Sequence, residues 1–467
     1  MSLSITGRAI PDADARGRLA LAAGWVAGLA AFAVAAARLA AIPPALSSDD
    51  ALFFVHALTR FSVLDFSPQF PGYPGFVAMG RLLLPLAGDP LHALALLTAT
   101  AALALPAMAA LVVWRATGSG WGALAAFAVT LSGPLMPDLA VSVLSDGSGI
   151  LFLLAFLALL PRQREDRFAS RSLFAGMALA WAIACRPSDA PLFAGALAGA
   201  VIAAPRVTWP VILGGAIVLV PVAVVVLALE GPLYVGEGLR FLSGHAELWG
   251  NTPFAAGGQT DSWLATLRDV PFAWAIAVLT VAAVAIALPR ARRSPVLAAA
   301  VAAFLAHAAW IAAFQNPDHL RHLAPLAILG GVILPLIVAN GPPARWRTAG
   351  VALLLAANVA ALASSGALRA AGPPPLAAAE AWLAAEPSGT AVATNDGVFL
   401  LRAGLPQTRV YDMHYPADAS LGLATAAGAA FRLTGTPIAG QAAAAIFPGR
   451  FPGERTLRLY RAMPRAN

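Results

Sequence analysis

Lysine is missing from the 467-residue chain, whose 30 basic residues are all arginine. Such a bias reports the base composition of a genome rather than chemistry. Cysteine is nearly missing too. The single one, Cys185, lies in an apolar stretch, so a disulfide within the chain and a thiolate-built metal cluster are both excluded. Charge is scarce, at 11% of residues against 59% hydrophobic, which excludes an ordinary soluble domain of this length. The formal net charge of +7 does not point to nucleic acid, because the arginines cluster in short loops between apolar runs, where they read as topology signals.

What the chain does have is long apolar runs. Trp209 to Leu229, Pro271 to Leu288, Pro295 to Phe314 and Val351 to Ala363 are about as long as a helix needs to be to cross a ~30 Å hydrocarbon core. Arg8, Arg16 and Arg18 precede a first run, Leu19 to Ile42, that is too long for a signal peptide and lacks a convincing cleavage site. Spans are expected at 19–42, 91–114, 119–139, 145–160, 172–187, 189–204, 209–230, 271–289, 296–314, 322–340 and 347–365, about eleven in all. The positive-inside rule makes the N-terminus cytoplasmic, together with the loops around Arg162 to Arg171, Arg206, Arg290 to Arg293 and Arg345 to Arg347. Gly75 to Ala87 is short and carries Arg81 at its centre, so it is expected to lie at the outer surface or dip into it.

The expected fold is therefore mainly α: a polytopic transmembrane helical bundle over residues 1–370, with outer loops at 43–90 and 230–270. A small extracytoplasmic α/β domain is expected over 373–467, after the stiff linker Pro373, Pro374 and Pro375. In it Glu380 to Ala385 reads as helix, and Thr390 to Thr394 as a strand ending at the turn Asn395-Asp396-Gly397. Thr408 to Tyr411 reads as another strand, and the apolar segments Ala442 to Phe447 and Thr456 to Tyr460 complete the unit.

Ser47, Ser48, Asp49 and Asp50 follow the first span directly. Ionisable groups at membrane depth are costly and mark function, yet Ser and Asp here could equally cap the helix Ala51 to Arg60. Neighbours on a helix point about 100° apart, so Asp49 and Asp50 are not expected to face the same reacting atom. Asp146 opens a later span on the same side. Arg186, and Arg321 with His322, His319 and Asp318, lie between apolar runs on the outer side, against the usual trend; an arginine there wants an anion unless it snorkels or pairs locally. In the 230–270 loop Tyr234, Glu237, Arg240, His245, Glu247 and Trp249 offer aromatic and polar surface to an acceptor, as does a solvated loop. His56 follows on the helix after Asp50. The Gly118 to Gly122 stretch superficially suggests a phosphate loop but follows a membrane span rather than a strand.

The order of first span, paired acids, the helix Ala51-Leu52-Phe53-Phe54-Val55-His56-Ala57-Leu58, then Pro71-Gly72-Tyr73-Pro74 opening another helix resembles the GT-C class of glycosyltransferases. The branch it looks like contains the protein O-mannosyltransferases and the lipid A aminoarabinose transferases. Leu144-Ser145-Asp146 is similar to that class's small-residue-plus-acid motif, and Cys185-Arg186-Pro187-Ser188 to its Thr-Arg-Pro-Thr. His319 to Leu326 is similar to its Arg-Tyr-Leu-Leu-Pro-Leu, and Ala381-Trp382-Leu383 with Ala391 to Asp396 to its extracytoplasmic domain. Phe53 and Phe54 depart from it, being phenylalanines rather than tyrosines.

The resemblance implies an inverting hexosyl- or pentosyltransferase of the bacterial inner membrane, taking sugar from a polyprenyl-phosphate donor to a hydroxyl on a glycan, lipid or protein acceptor. Such a reaction needs a carboxylate for the acceptor's proton and a cationic group or metal for the departing phosphate. Asp49 is the expected base, with Asp50 or Asp146 assisting. Asp49 and Asp146 are the expected ligands of a divalent cation, magnesium or manganese, if one is used; no other cofactor is expected. Arg186, Arg321 and His322 are expected at the donor phosphate, and His56, Tyr73 and His245 toward the acceptor. Membrane lipids are the surroundings, and no nucleic acid is a partner. The competing reading is a membrane transporter or lipid flippase without glycosyl transfer, which would be expected to show repeat halves and broken mid-membrane helices.

Overall fold

A computed structural model describes residues 13–161, 168–249, 263–292, 294–317, 319–339, 345–364, 372–413, 416–425 and 430–462. Asp318 and residues 250–262 of the segment expected as an outer loop lie outside the described residues. The helices run in order α1 (Ala13–Ala40), α2 (Asp49–Thr59), α3 (Pro74–Ala87), α4 (Pro90–Thr117), α5 (Gly120–Leu131), α6 (Met136–Val141), α7 (Asp146–Leu159) and α8 (Phe168–Cys185). They continue with α9 (Ala190–Ala203), α10 (Thr208–Glu230), α11 (Leu233–Trp249), α12 (Trp263–Thr266), α13 (Ala273–Ala291), α14 (Pro295–Phe314), α15 (Ala324–Ala339) and α16 (Arg345–Ser364). The C-terminal unit adds α17 (Pro375–Ala384), β1 (Ala391–Thr394), α18 (Val398–Gly404), β2 (Arg409–Asp412), α19 (Pro416–Thr425), β3 (Ala430–Thr434), β4 (Ala445–Phe447) and β5 (Leu457–Arg461).

Among the described residues, seven helices are long and apolar enough to cross a membrane: Gly17–Ala40, Pro90–Thr117, Pro205–Glu230, Ala273–Ala291, Pro295–Phe314, Leu320–Ala339 and Arg345–Ala363. The chain is a polytopic helical membrane protein. The other expected spans are present as shorter apolar helices, α5, α7, α8 and α9. One of them differs from expectation. The 119–139 segment breaks at Gly133-Pro134, where proline removes a backbone donor, and its end forms the separate short helix α6.

Segment α3 is a 14-residue apolar helix, and its central arginine has a structural use. Arg81 donates from Nε to Leu58 O at 3.1 Å and from Nη2 to Ala57 O at 2.8 Å, satisfying carbonyls that the end of α2 leaves unpaired. The 230–270 segment, expected as an outer loop, is not a loop throughout: residues 233–249 form helix α11. Its Gly238 lies against Phe70, and Phe70 and Phe241 approach to 5.7 Å between ring centroids.

In the bundle, close helix pairs rest on small residues. A Cβ at Gly195 of α9 would meet the Ala302 carbonyl oxygen of α14 at 2.6 Å, and Gly199 faces the Ala298 carbonyl one turn on. The C-terminal sheet has the order β2-β1-β3-β5-β4, with β1 parallel to β2 and β3, and β5 antiparallel to β3 and β4. Phe431, Leu433 and Leu459 pack with Leu376, Leu383 and Leu401 to make its core, and Leu46 and Leu52 of the membrane domain pack against the same cluster. The two parts thus share apolar contact beside Asp49 and Asp50.

Candidate active site between bundle and C-terminal domain

The N-cap of α2 is Ser48, whose hydroxyl accepts from the Ala51 N–H at 3.3 Å. That leaves both acids of the first turn free for other work. Asp49 Oδ1 accepts from the Leu400 N–H at 2.9 Å, at the start of α18. Burial raises its carboxyl above the usual range, while the amides of Leu400, Phe399 and Val398 draw it back. Asp50 diverges from its neighbour, as helical geometry requires, and Oδ2 accepts from Arg321 Nη2 at 2.7 Å.

Arg321 belongs to the 3-10 turn Leu320–Leu323 that leads into α15. Its side chain is 15% exposed, and Nε is buried with no partner among the described residues. An arginine has five donors in a rigid fork, so one ion pair leaves capacity for an anion.

These side chains line a cavity of about 250 Å³. The bundle supplies Asp49, Asp50, Asp138, His319 and Arg321, and the C-terminal domain supplies Asp396, Glu454 and Arg455. An aromatic cluster joins the two domains close to Asp49 in sequence: Phe53 meets Phe399 of α18 edge-on at 5.1 Å, and Phe66 lies 6.3 Å from both Phe399 and Phe241.

Asp138 and Glu454 were not anticipated from sequence as site residues. Burial pushes the Asp138 carboxyl up to about 7, Glu454 adds to the rise, and Arg321 opposes it. The sign available in the sequence is Gly133-Pro134, a break inside an expected span that puts Asp138 on a separate short helix. His319 is held neutral: burial first, then Arg321 and Arg455, lower its pKa well below the ordinary value.

The other expected site residues lie elsewhere. Arg186 is in a buried triad, with Nη2 on Asp146 Oδ1 at 2.9 Å, Nε on Asp189 Oδ2 at 3.0 Å and Nη1 donating to Ser145 Oγ at 3.1 Å. Two carboxylates therefore offset its charge, and neither Arg186 nor Asp146 lines the cavity. His322 is buried and does not line the cavity, its ring 6.4 Å from Trp263 and its carbonyl oxygen 3.0 Å from His307 Nε2. Tyr73 is buried edge-on to Phe54 at 5.0 Å, and His56 is exposed away from the cavity. His245 faces Phe314 O with Nε2 at 3.2 Å, and burial lowers its pKa.

A divalent cation held by Asp49 and Asp146 does not fit these residues. Asp49 is engaged with an amide donor of α18, Asp146 with Arg186, and only Asp49 reaches the cavity. No group of three or more His, Cys, Asp and Glu capable of holding a metal occurs among the described residues.

Fold and site together define a multi-pass helical membrane protein whose α/β domain roofs an acidic cavity at one end of the bundle. No family model matches the chain, and no curated protein does. Solved structures are similar to it, three of them as follows. ArnT from Cupriavidus metallidurans bound to undecaprenyl phosphate aligns over 94% of this chain and 97% of that one, with a TM-score of 0.48 and 12% identity. The same protein in the apo state aligns over 94% and 98%, at 0.44 and 14%. The Archaeoglobus fulgidus oligosaccharyltransferase in complex with Zn and sulfate aligns over 86% and 67%, at 0.42 and 12%.

Proposed function

We propose that the chain is a membrane-embedded glycosyltransferase that moves a hexose or pentose from a polyprenyl-phosphate donor to a hydroxyl of a glycan, lipid or protein acceptor, with inversion. It works on the outer face of a bacterial inner membrane, with its N-terminus in the cytoplasm. The observation that carries the reading is the Asp50–Arg321 pair in the wall of the cavity between bundle and α/β domain. The resemblance of the sequence motifs to the GT-C class supports it independently.

As the bond from the anomeric carbon to the phosphate oxygen breaks, negative charge grows on the leaving polyprenyl phosphate. A partly buried guanidinium stabilises that charge better than water does, because it is already oriented. Asp50 holds Arg321 in place by its 2.7 Å contact. The acceptor's proton goes to a carboxylate of the same cavity.

Of the phosphate residues expected from sequence, Arg321 lines the cavity and supports the reading, whereas Arg186 and His322 do not line it. The test is transfer of labelled sugar from undecaprenyl-phosphate-linked pentoses and hexoses to envelope lipid extract by the purified full chain. Wild type is expected to transfer, and Arg321→Ala to lose most of it. Movement of a lipid or sugar across sealed vesicles with no glycosidic bond formed from any donor would overturn the reading in favour of a transporter.

A further inference from the structure

Nearly every carboxylate on the cavity wall is already matched. Asp49 holds the Leu400 amide, Asp50 holds Arg321, Asp396 Oδ1 meets Arg455 Nη1 at 2.8 Å, and Glu454 Oε1 meets Arg450 Nη2 at 2.7 Å. Asp138 is the exception. Among the described residues it makes no ion pair and no side-chain hydrogen bond, and neither of its oxygens is sealed off from the cavity.

Its position is set from both domains. The break at Gly133-Pro134 separates α6 from α5, and the Asp138 carbonyl accepts from the Ser142 N–H at 3.0 Å. From the other side comes the turn between β4 and β5. Gly453 there has φ +100°, in the range that favours glycine, and a Cβ on it would meet Leu135 Cδ2 at 2.9 Å and Asp138 Cβ at 3.8 Å. The C-terminal domain thus presses on the helix that carries the acid.

We infer that Asp138 accepts the proton of the acceptor hydroxyl in the sugar transfer proposed above, an inference that rests on that reading. A general base works best when its pKa lies near the working pH, and burial brings this carboxyl to about 7. The charged groups around it are Glu454 and Asp146, which raise its proton affinity, and Arg321 and Arg450, which lower it. In the step, the acceptor oxygen bonds to the anomeric carbon as its proton passes to Asp138. The bond from that carbon to the phosphate oxygen breaks, and its electron pair leaves with the polyprenyl phosphate beside Arg321. Asp138 then returns the proton to solvent through the cavity.

The experiment compares wild type, Asp138→Asn and Asp138→Glu in transfer from an undecaprenyl-phosphate-linked sugar over about pH 5 to 9. Wild-type kcat/KM is expected to rise about tenfold per pH unit and level off near 7. Asp138→Asn is expected to lose roughly 10²- to 10⁴-fold and the rising limb with it, while still being stabilised against heat by undecaprenyl phosphate. Asp138→Glu is expected to recover part of the rate with a displaced limb. Activity of Asp138→Asn within about threefold of wild type, limb intact, would overturn the inference and leave the glycosyltransferase reading standing. If Asp138→Asn does not fold, Asp138→Glu decides: a displaced limb supports the role, an unmoved one refutes it. A wild type that transfers no sugar sinks the parent reading and this inference together.

Discussion

Asp49, in the first turn of α2, caps the start of α18 by accepting from the Leu400 N–H at 2.9 Å across a sequence separation of 351 residues. A carboxylate at a helix N-terminus satisfies an orphan amide and meets the positive end of the helix dipole. Asp49→Ala is therefore expected to loosen the C-terminal domain by about 1 kcal/mol. Amide hydrogen exchange at Val398 to Leu401 should speed up severalfold, while exchange in β1 stays slow. Unchanged exchange at those amides would mean the cap contributes nothing to docking.

The Arg186 triad makes a different demand. Its members are 4–7% exposed, so removing the guanidinium strands two carboxylates in a poor solvent. Breaking such a buried pair costs roughly 3–5 kcal/mol. Arg186→Ala should lower the thermal midpoint in detergent sharply, and adding Asp146→Asn should recover part of the loss. Strict additivity of the two substitutions would argue against the pairing.

Arg321 should behave otherwise, because its work is at the cavity. Charge-assisted hydrogen bonds contribute roughly 1.5–3 kcal/mol, so Arg321→Gln is expected to weaken undecaprenyl phosphate binding by about one to two orders of magnitude. The measurement is the dependence of the thermal midpoint on lipid concentration. A midpoint that responds to lipid as in wild type would exclude Arg321 from the phosphate site.

Much of this was legible in the sequence, and the reason differs by element. The spans show because apolar length is itself the signal, as in α10 and α14. Asp50 and Arg321 could be named, since acids and arginines at that depth need a reason. That they meet could not, because their contact joins positions 271 apart. Asp49 and Arg186 are expected from sequence for their chemistry; their partners could not be read there, Asp49 lining the cavity while accepting from the amide of a distant helix and Arg186 held by local acids. Helix α11 was missed because its polar and aromatic residues look like a loop until Phe70 and Tyr234 pack, 5.4 Å between centroids. Strand β3 was missed because its five residues carry no turn signal of their own.

Asp138 also makes stability depend on pH. Its carboxyl titrates near 7 in the folded chain against an ordinary 3.8, so between those values the folded state keeps a proton that the unfolded state has released. Stability from this group is full below about 3.8, falls as pH rises through the window and is lost above about 7. Asp138→Asn should flatten that slope and raise the thermal midpoint more at pH 8 than at pH 5. An identical slope in variant and wild type would show that the group does not titrate there.

The last prediction concerns how the bundle is held. Gly199 of α9 faces the Ala298 carbonyl of α14 too closely for any Cβ, and Gly195 repeats the contact one turn earlier, at 2.6 Å from the Ala302 oxygen. Backbone cannot retreat as a flexible side-chain tip can, so Gly199→Val must push the two helices apart and is expected to cost about 1–3 kcal/mol or more. Gly236, in α11, meets nothing within 4 Å. There an added methyl only removes backbone freedom from the unfolded chain, and Gly236→Ala should stabilise by up to about 1 kcal/mol. Thermal midpoints of the two variants should therefore move in opposite directions, and a shift of the same sign and size in both would mean that close helix approach is not what makes Gly199 necessary.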